Sequence, residues 1–403
     1  MIATVFLVMY LLAHAFVAEI LVTGMQLGPF ATVIVAVILI VFGASPFVGR
    51  RLERLGHLRA ARVFAVFGYT WAGLVVLFVL SRLTVDLATL LVAPVAPVAR
   101  AFAPFGALIL TAVCGSGLAL YAFMERSRVR VETYTLPTSK WPDSGRDRVR
   151  VGQISDVHIG FMNGRRRIRA IAARLRAYEP DIVVSTGDLV DSPIGLHEAY
   201  ADALAEIQPP LGKYAIIGNH EYYAGLPHTL AFLERAGFIV LRNAVRTVGG
   251  VQLVGVDDPA TDMQADWAQR ETRLLAQVRR DTFTVLLKHR PDLVKNAVVR
   301  ADLQLSGHTH KGQIFPFNFL TRLYYPANAG LYRMARATFL YVSRGTGAWG
   351  PPFRLFSPPE ITLFDIGPGL PDPGGRPLPS VLEDEVSSPA EDLPAQVIAC
   401  SDD

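Results

Sequence analysis

The sequence predicts an all-α, membrane-spanning domain of about four helices followed by an α/β domain. Three observations carry that prediction. The 403 residues are 51% hydrophobic and only 18% charged, against about 25% charged in an ordinary soluble domain. The apolar excess is concentrated in the first 125 residues. Beyond about residue 130, short β-branched segments alternate with helix-length amphipathic ones.

Within the first part, runs at 2–22, 30–48, 63–80 and 105–124 are almost free of charge. An apolar layer of ~30 Å takes about 20 helical residues, so each run is long enough to cross it. The first lacks the basic start of a signal peptide and a second apolar run follows at once, which argues against cleavage near Ala13-His14-Ala15. His14 and Glu19 lie in or near the end of that run, and ionisable groups inside a membrane are candidates for function. The connection 49–62 carries Arg50, Arg51, Arg54, Arg59 and Arg62, and the fourth run is followed by Arg126, Arg128 and Arg130. The opposite connections offer Arg82 and Arg100 beside Asp86. This bias places the arginine-rich side in the cytoplasm. The expectation is an integral protein of a bacterial-type inner or plasma membrane, with everything after residue 125 cytoplasmic. Segment 83–99, with Asp86 inside it and Pro94 and Pro97 late, reads as a re-entrant or interfacial piece. Because topology accounts for the arginines, the net charge of +4 gives little support to a nucleic-acid partner.

After an expected linker at 126–147, the α/β domain is expected over 148–366. Strands are predicted at Val149–Ile154, Ile182–Ser185, 213–217, Val251–Val256, 284–287, 303–305, Phe339–Val342 and 361–364. A helix at 166–177 shows Ile168, Ile171 and Leu175 on one face. The tail 367–403 holds seven prolines and several acidic clusters, and is expected to be disordered. Cys114 and Cys400, in an apolar run and in the tail, suggest no disulfide.

Five segments end in metal-ligand residue types, each just after a predicted strand. They are Asp156-Val157-His158, Gly187-Asp188-Leu189-Val190-Asp191, Gly218-Asn219-His220-Glu221, Lys288-His289-Arg290 and Gly307-His308-Thr309-His310. Five of the chain's nine histidines fall in them, while His57, His197 and His228 have no such company. Ligand crevices of open α/β sheets lie beyond the carboxyl ends of the strands, so the five segments are expected on one rim. Carboxylates, imidazoles and one amide, without cysteine, suit Mn, Fe or Zn ions. Seven donors exceed the needs of one tetrahedral ion and suffice for two that share a carboxylate. Such a pair lowers the pKa of a bridging water and clamps an in-line phosphoryl displacement.

The ordered set Asp-x-His, Gly-Asp-x-x-Asp, Gly-Asn-His-Glu, His and Gly-His-x-His resembles the calcineurin-like metallophosphoesterase superfamily over about residues 148–366. The apolar runs ahead of it resemble the membrane-attached branch. The resemblance implies a four-layer αββα sandwich. It implies one metal held by Asp156, His158 and His310, a second by Asn219, His289 and His308, and Asp188 bridging the two. His220 would protonate the leaving oxygen or steady the phosphate, with Asp191 orienting its ring. A paired carboxylate keeps such an imidazole charged. The implied activity is hydrolysis of a phosphomonoester, phosphodiester or pyrophosphate bond by a metal-bridging hydroxide. The expected partners are a phosphate ester, lipid-linked by analogy, and membrane lipids. Lys311 stands where the branch often has glycine, and it is expected either at a phosphate or in solvent. Gln313, Asn328 and Arg344 fall on loops that could line the rim. Arg165-Arg166-Arg167 could meet a phosphorylated headgroup or form a solvated face, and Asp257-Asp258 reads as a turn. Other readings are a metal- or phospholipid-binding sensor or scaffold without turnover, and a nuclease of the same superfamily.

Overall fold

The computed structural model describes residues 2–92, 104–141, 145–191, 198–294, 300–334 and 338–377. It contains two compact units, a helical one built on Met1–Glu125 and an α/β one that takes in Arg126–Trp349 and Arg354 onward.

The helical unit is formed by α1 (Ile2–Gly24), α2 (Pro29–Arg54), α3 (Leu58–Val92) and α4 (Pro104–Ser127). All four are long and apolar enough to cross a membrane. Small residues let α2 and α3 approach closely. A Cβ added at Gly49 would sit 2.9 Å from the Ala65 backbone nitrogen, and one at Gly68 would meet the backbone of Pro46. His14 joins α1 to α3: its Nδ1 donates to Tyr10 O at 2.8 Å, and its Nε2 accepts from Trp71 Nε1 at 3.0 Å. Glu19 is exposed.

Residues 83–92 do not form the separate re-entrant or interfacial piece expected of segment 83–99. Residues 83–92 continue α3 without a break. Nothing between 83 and 92 interrupts a helix, and Asp86 is neutralised by Arg82 one turn earlier at 2.8 Å. Residues 93–99, with both prolines, lie outside the described residues.

In the α/β unit, the first sheet has the order β1 (Arg130–Pro137), β12 (Glu360–Gly367), β2 (Val149–Ile154), β3 (Ile182–Ser185), β4 (Lys213–Ala215), β5 (Phe238–Val240). Strands β2 to β5 run parallel, and β12 is antiparallel to β2. The second sheet has the order β13 (Arg376–Pro377), β10 (Gly330–Arg333), β11 (Phe339–Val342), β9 (Leu303–Ser306), β8 (Phe283–Lys288), β7 (Val251–Val256), β6 (Ala244–Val248). Strand alternation divides the side chains between two faces. Val149, Val151, Ile182 and Val184 meet Val251, Leu253, Val285 and Leu303 in a core between the sheets. On the outer face of the first sheet, Val183 and Ile217 pack on helices α5 (Arg165–Arg176), α6 (Glu198–Ala205) and α7 (Asn219–Arg235) through Ile168, Leu204 and Phe232. On the outer face of the second, Val254, Val256 and Leu286 pack on α8 (Trp267–Ala276) through Leu274 and Leu275. The layers are therefore helix, sheet, sheet, helix, as expected.

Two expected irregular segments carry strands. Arg130–Pro137, inside the span read as a linker, pairs along its whole length with Glu360–Gly367. Arg376 and Pro377, inside the tail read as disordered, pair with β10. Neither strand shows enough alternation to stand out in sequence; each is fixed by a distant partner. Residues 378–403 lie outside the described part.

Candidate metal centre

Each motif begins where a strand ends. Asp156 and His158 follow β2, Asp188 and Asp191 follow β3, and Asn219 and His220 open α7 just after β4. His289 follows β8, and His308 and His310 follow β9. The backbone in these turns is strained. Asp156, His158, Asp188, His308 and His310 have φ of 51°, 49°, 53°, 68° and 49°. A non-glycine residue held there costs on the order of 1–3 kcal/mol, and such strain gathers where side-chain aim matters. Gly187, at φ 92°, has no alternative: a Cβ would stand 2.6 Å from His289 Nδ1.

Three clusters result. In the first, His158 Nε2 lies 3.1 Å from His310 Nε2, which lies 3.3 Å from Asp156 Oδ1. In the second, His289 Nε2 has Asp188 Oδ2 at 3.2 Å, Asn219 Oδ1 at 3.2 Å and His308 Nδ1 at 3.1 Å. Asp188 Oδ2 also lies 3.9 Å from His158 Nε2, which places it between the two clusters. In the third, His220 Nδ1 bonds Asp191 Oδ1 at 2.5 Å, and that carboxylate lies 3.7 Å from His158 Nδ1. All nine residues expected at the site are thus brought together.

The spacing tests whether these donors fit metal ions. Metal–ligand bonds of about 2.1 Å set neighbouring donors roughly 3.0–3.4 Å apart in octahedral or tetrahedral geometry. The separations within the first two clusters fall in that range. The second cluster is the more telling. His289 Nδ1 donates to Thr186 O at 2.8 Å, so in the neutral ring Nε2 carries a lone pair. That lone pair faces a carboxylate oxygen, an amide oxygen and another imidazole nitrogen. These oxygen and nitrogen atoms lie close enough together to hold a metal ion, and the mixed donors suit Mn, Fe or Zn.

The electrostatics agree. Burial opposes charge on Asp156 and Asp188, yet His310 and His289 beside them hold both carboxyls below the usual range. Burial also opposes charge on His289, but Asp188 raises it to about 10. His308 is pushed well below its ordinary value by burial and by His289. His310 falls to about 4, first through burial, with His158 and Arg354 adding to the effect and Asp156 opposing it. In His220, burial is outweighed by Asp188 and by the bond to Asp191, which raise it to about 9.

Residues outside the expected set hold this arrangement. Glu221, fully buried, accepts from the backbone nitrogens of Asp188, Leu189 and Gly218 at 2.8, 2.5 and 2.9 Å. It ties the Asp188 turn to the start of α7; its place three residues after Gly218, at N3, was the available signal. Asn163 Nδ2 donates to the carbonyls of Val157, His158 and Ala348. Arg354, fully buried, gathers the Gly347 and Arg344 carbonyls and sets Nη2 3.1 Å from His310 Nδ1. Aromatic rings flank the clusters: Tyr223 and Trp349 lie 5.7 and 5.9 Å from His220, and Tyr325 lies 5.4 Å from His308.

Several rim candidates have structural duties instead. Gln313 holds both polar backbone groups of Trp349. Asn328 donates to Asn318 O, and Arg344 binds Glu360 and Glu132. Lys311 Nζ reaches Phe356 O. Asp258 pairs with Arg290 at 2.8 Å and caps the short turn Pro259–Thr261. Lys288 pairs with the buried Glu271 at 2.9 Å.

Two stacked mixed sheets thus bring carboxylates and imidazoles together beyond the strand ends, in groups that could hold metal ions. Residues 149–312 match the family described as calcineurin-like phosphoesterase. The chain is 37% identical to a metallophosphoesterase of Aquifex aeolicus over 252 residues, 62% of this chain and 96% of that one. It is 30% identical to the Bacillus subtilis metallophosphoesterase YkuE, over 65% of this chain and 94% of that one. It is 34% identical to the zebrafish transmembrane protein with metallophosphoesterase domain, over 64% of this chain and 61% of that one. The chain belongs to the calcineurin-like metallophosphoesterase family.

Proposed function

We propose that this chain is a membrane-anchored, two-metal phosphoesterase that hydrolyses a phosphomonoester, phosphodiester or pyrophosphate bond. The carrying observation is His289 Nε2, which has a carboxylate oxygen, an amide oxygen and an imidazole nitrogen within 3.2 Å. Asp156, His158 and His310 form one ion's donor set; Asn219, His289 and His308 form the other's; Asp188 is shared. The ions are Mn, Fe or Zn. When bound, such ions supply an activated water and a clamp for phosphoryl oxygens.

The remaining work falls to side chains outside the donor sets. His220 is protonated at neutral pH and directs Nε2, the nitrogen not bonded to Asp191, to the leaving oxygen. Asp191 fixes the ring and stabilises its charge. Trp349 and Tyr223 stand beside His220 and offer ring faces to the group attached to the phosphate. The four apolar helices favour a lipid-linked or membrane-proximal phosphate ester, and the arginine bias favours a cytoplasmic catalytic unit.

The test uses the full chain in detergent, stripped of metal and then given Mn²⁺, on p-nitrophenyl phosphate and bis-p-nitrophenyl phosphate in parallel. Turnover that returns with metal is expected, and the preferred ester narrows the substrate class. Silence on both with two ions bound would defeat the proposal for soluble esters and leave only a lipid substrate. Turnover unaffected by stripping would defeat the two-metal reading.

A further inference from the structure

On the face where β1 begins beside α5, a groove of about 960 Å³ is lined by Arg128, Arg130, Arg166, Arg167 and Arg174, with Glu132. None of these residues belongs to the metal centre. The charge balance of the groove is unusual. Glu132 is already engaged by Arg344 at 2.5 Å. Arg167 is spent on backbone, donating to the carbonyls of Arg126 and Thr346 at 2.7 and 3.1 Å. The side chains of Arg128, Arg130, Arg166 and Arg174 are exposed and pair with no described residue. Four guanidinium groups therefore edge one concavity without a counter-charge among the described residues.

Protein surfaces usually intersperse the two signs, since like charges brought together repel. Guanidinium groups present planar forks of donors that match phosphate oxygens and bind them with charge-assisted hydrogen bonds. Ala170 adds a small exposed apolar surface to the lining. The chain enters the groove at Ser127, the last residue of α4.

We infer that this groove is a second, non-catalytic binding site for a phosphate-bearing anion. Its chemistry is met either by the headgroup of an anionic phospholipid or by a free phosphate compound. The inference does not depend on the proposed hydrolysis.

The test is titration of the full chain, in a detergent with neutral headgroups, with dihexanoyl phosphatidic acid and separately with inorganic phosphate. Chelator is present throughout, so that phosphate held by metal does not contribute. Wild type is expected to bind, more weakly as salt rises. Arg128→Gln, Arg166→Gln and Arg174→Gln should each weaken binding about tenfold, and Arg174→Lys should retain more than Arg174→Gln. Thermal melting checks that each single variant is folded, and the exposed Arg174 carries the test alone if the others are not. Equal affinity for phosphate and the lipid names the free anion as the source; binding of the lipid alone names the headgroup. No binding by wild type to either probe, or unchanged binding by all three glutamine variants, would overturn the inference.

Discussion

His14 in the helical unit and His289 in the α/β unit begin alike and end differently. Both are buried, and both donate Nδ1–H to a backbone carbonyl at 2.8 Å, from Tyr10 and from Thr186. At His14 the other nitrogen receives the Trp71 indole N–H at 3.0 Å, so every polar atom of the ring is satisfied. At His289 the other nitrogen lies within 3.2 Å of a carboxylate oxygen, an amide oxygen and a second imidazole nitrogen. A buried group that is fully paired needs nothing more. A buried nitrogen set among other metal-ligand atoms could hold an ion with them. Burial alone does not separate a structural histidine from a ligand; the polarity of its neighbours does.

Four predictions test that contrast. The largest effect is expected at the shared carboxylate. Asp188→Asn should lower kcat/KM by about a thousandfold, several kcal/mol of lost transition-state stabilisation. Elemental analysis should find less bound metal, with the fold retained by circular dichroism.

The acid comes next. His220→Asn should cut kcat by roughly a hundred- to ten-thousandfold while leaving the metal content unchanged. Its pH dependence has a defined sign. His220 is raised from its ordinary value to about 9, so its charged form is full at low pH and is lost as pH rises. With cations sharing the charge of Asp188, the alkaline limb of kcat should fall between about 6.5 and 9. Asp191→Asn should move that limb to lower pH; a limb that does not move would assign the proton to another group.

A smaller loss is expected where neighbours aim the ligands. Arg354→Lys and Asn163→Ala should weaken metal binding about 10- to 100-fold, read by titration with Mn²⁺. The smallest effect belongs to His14. His14→Phe should leave kcat and metal content alone and cost about 1 kcal/mol of stability in thermal melting. A large loss of turnover in His14→Phe would collapse the distinction between the two histidines.

The donor residues were legible in sequence because each follows a strand within a few residues, so local spacing and topology delivered them together. Their supports were not. Asn163 and Arg354 act on backbone carbonyls and on a ring brought close only by folding, and neither residue type nor spacing announces that. Glu221 was visible as the end of Gly218-Asn219-His220-Glu221, but its role depends on the Asp188 turn packing over the start of α7. The same limit applies to the fold. The α2–α3 hydropathy pattern was clear, whereas β1 passed for a linker because its partner β12 lies at the far end of the domain. Residues 83–92 passed for an interfacial piece because Asp86 and the late prolines stood against a crossing, whereas the pairing of Asp86 with Arg82 leaves the helix unbroken.

The most direct measurement is the number of Mn²⁺ ions bound by the full chain, taken with the protons released, in wild type and in Asp188→Asn. A cation that takes the place of the proton on His289 must release it. Two ions per wild-type chain, with proton release, and loss of both in Asp188→Asn are predicted. No bound ion, or ions bound equally by the variant without proton release, would contradict the account.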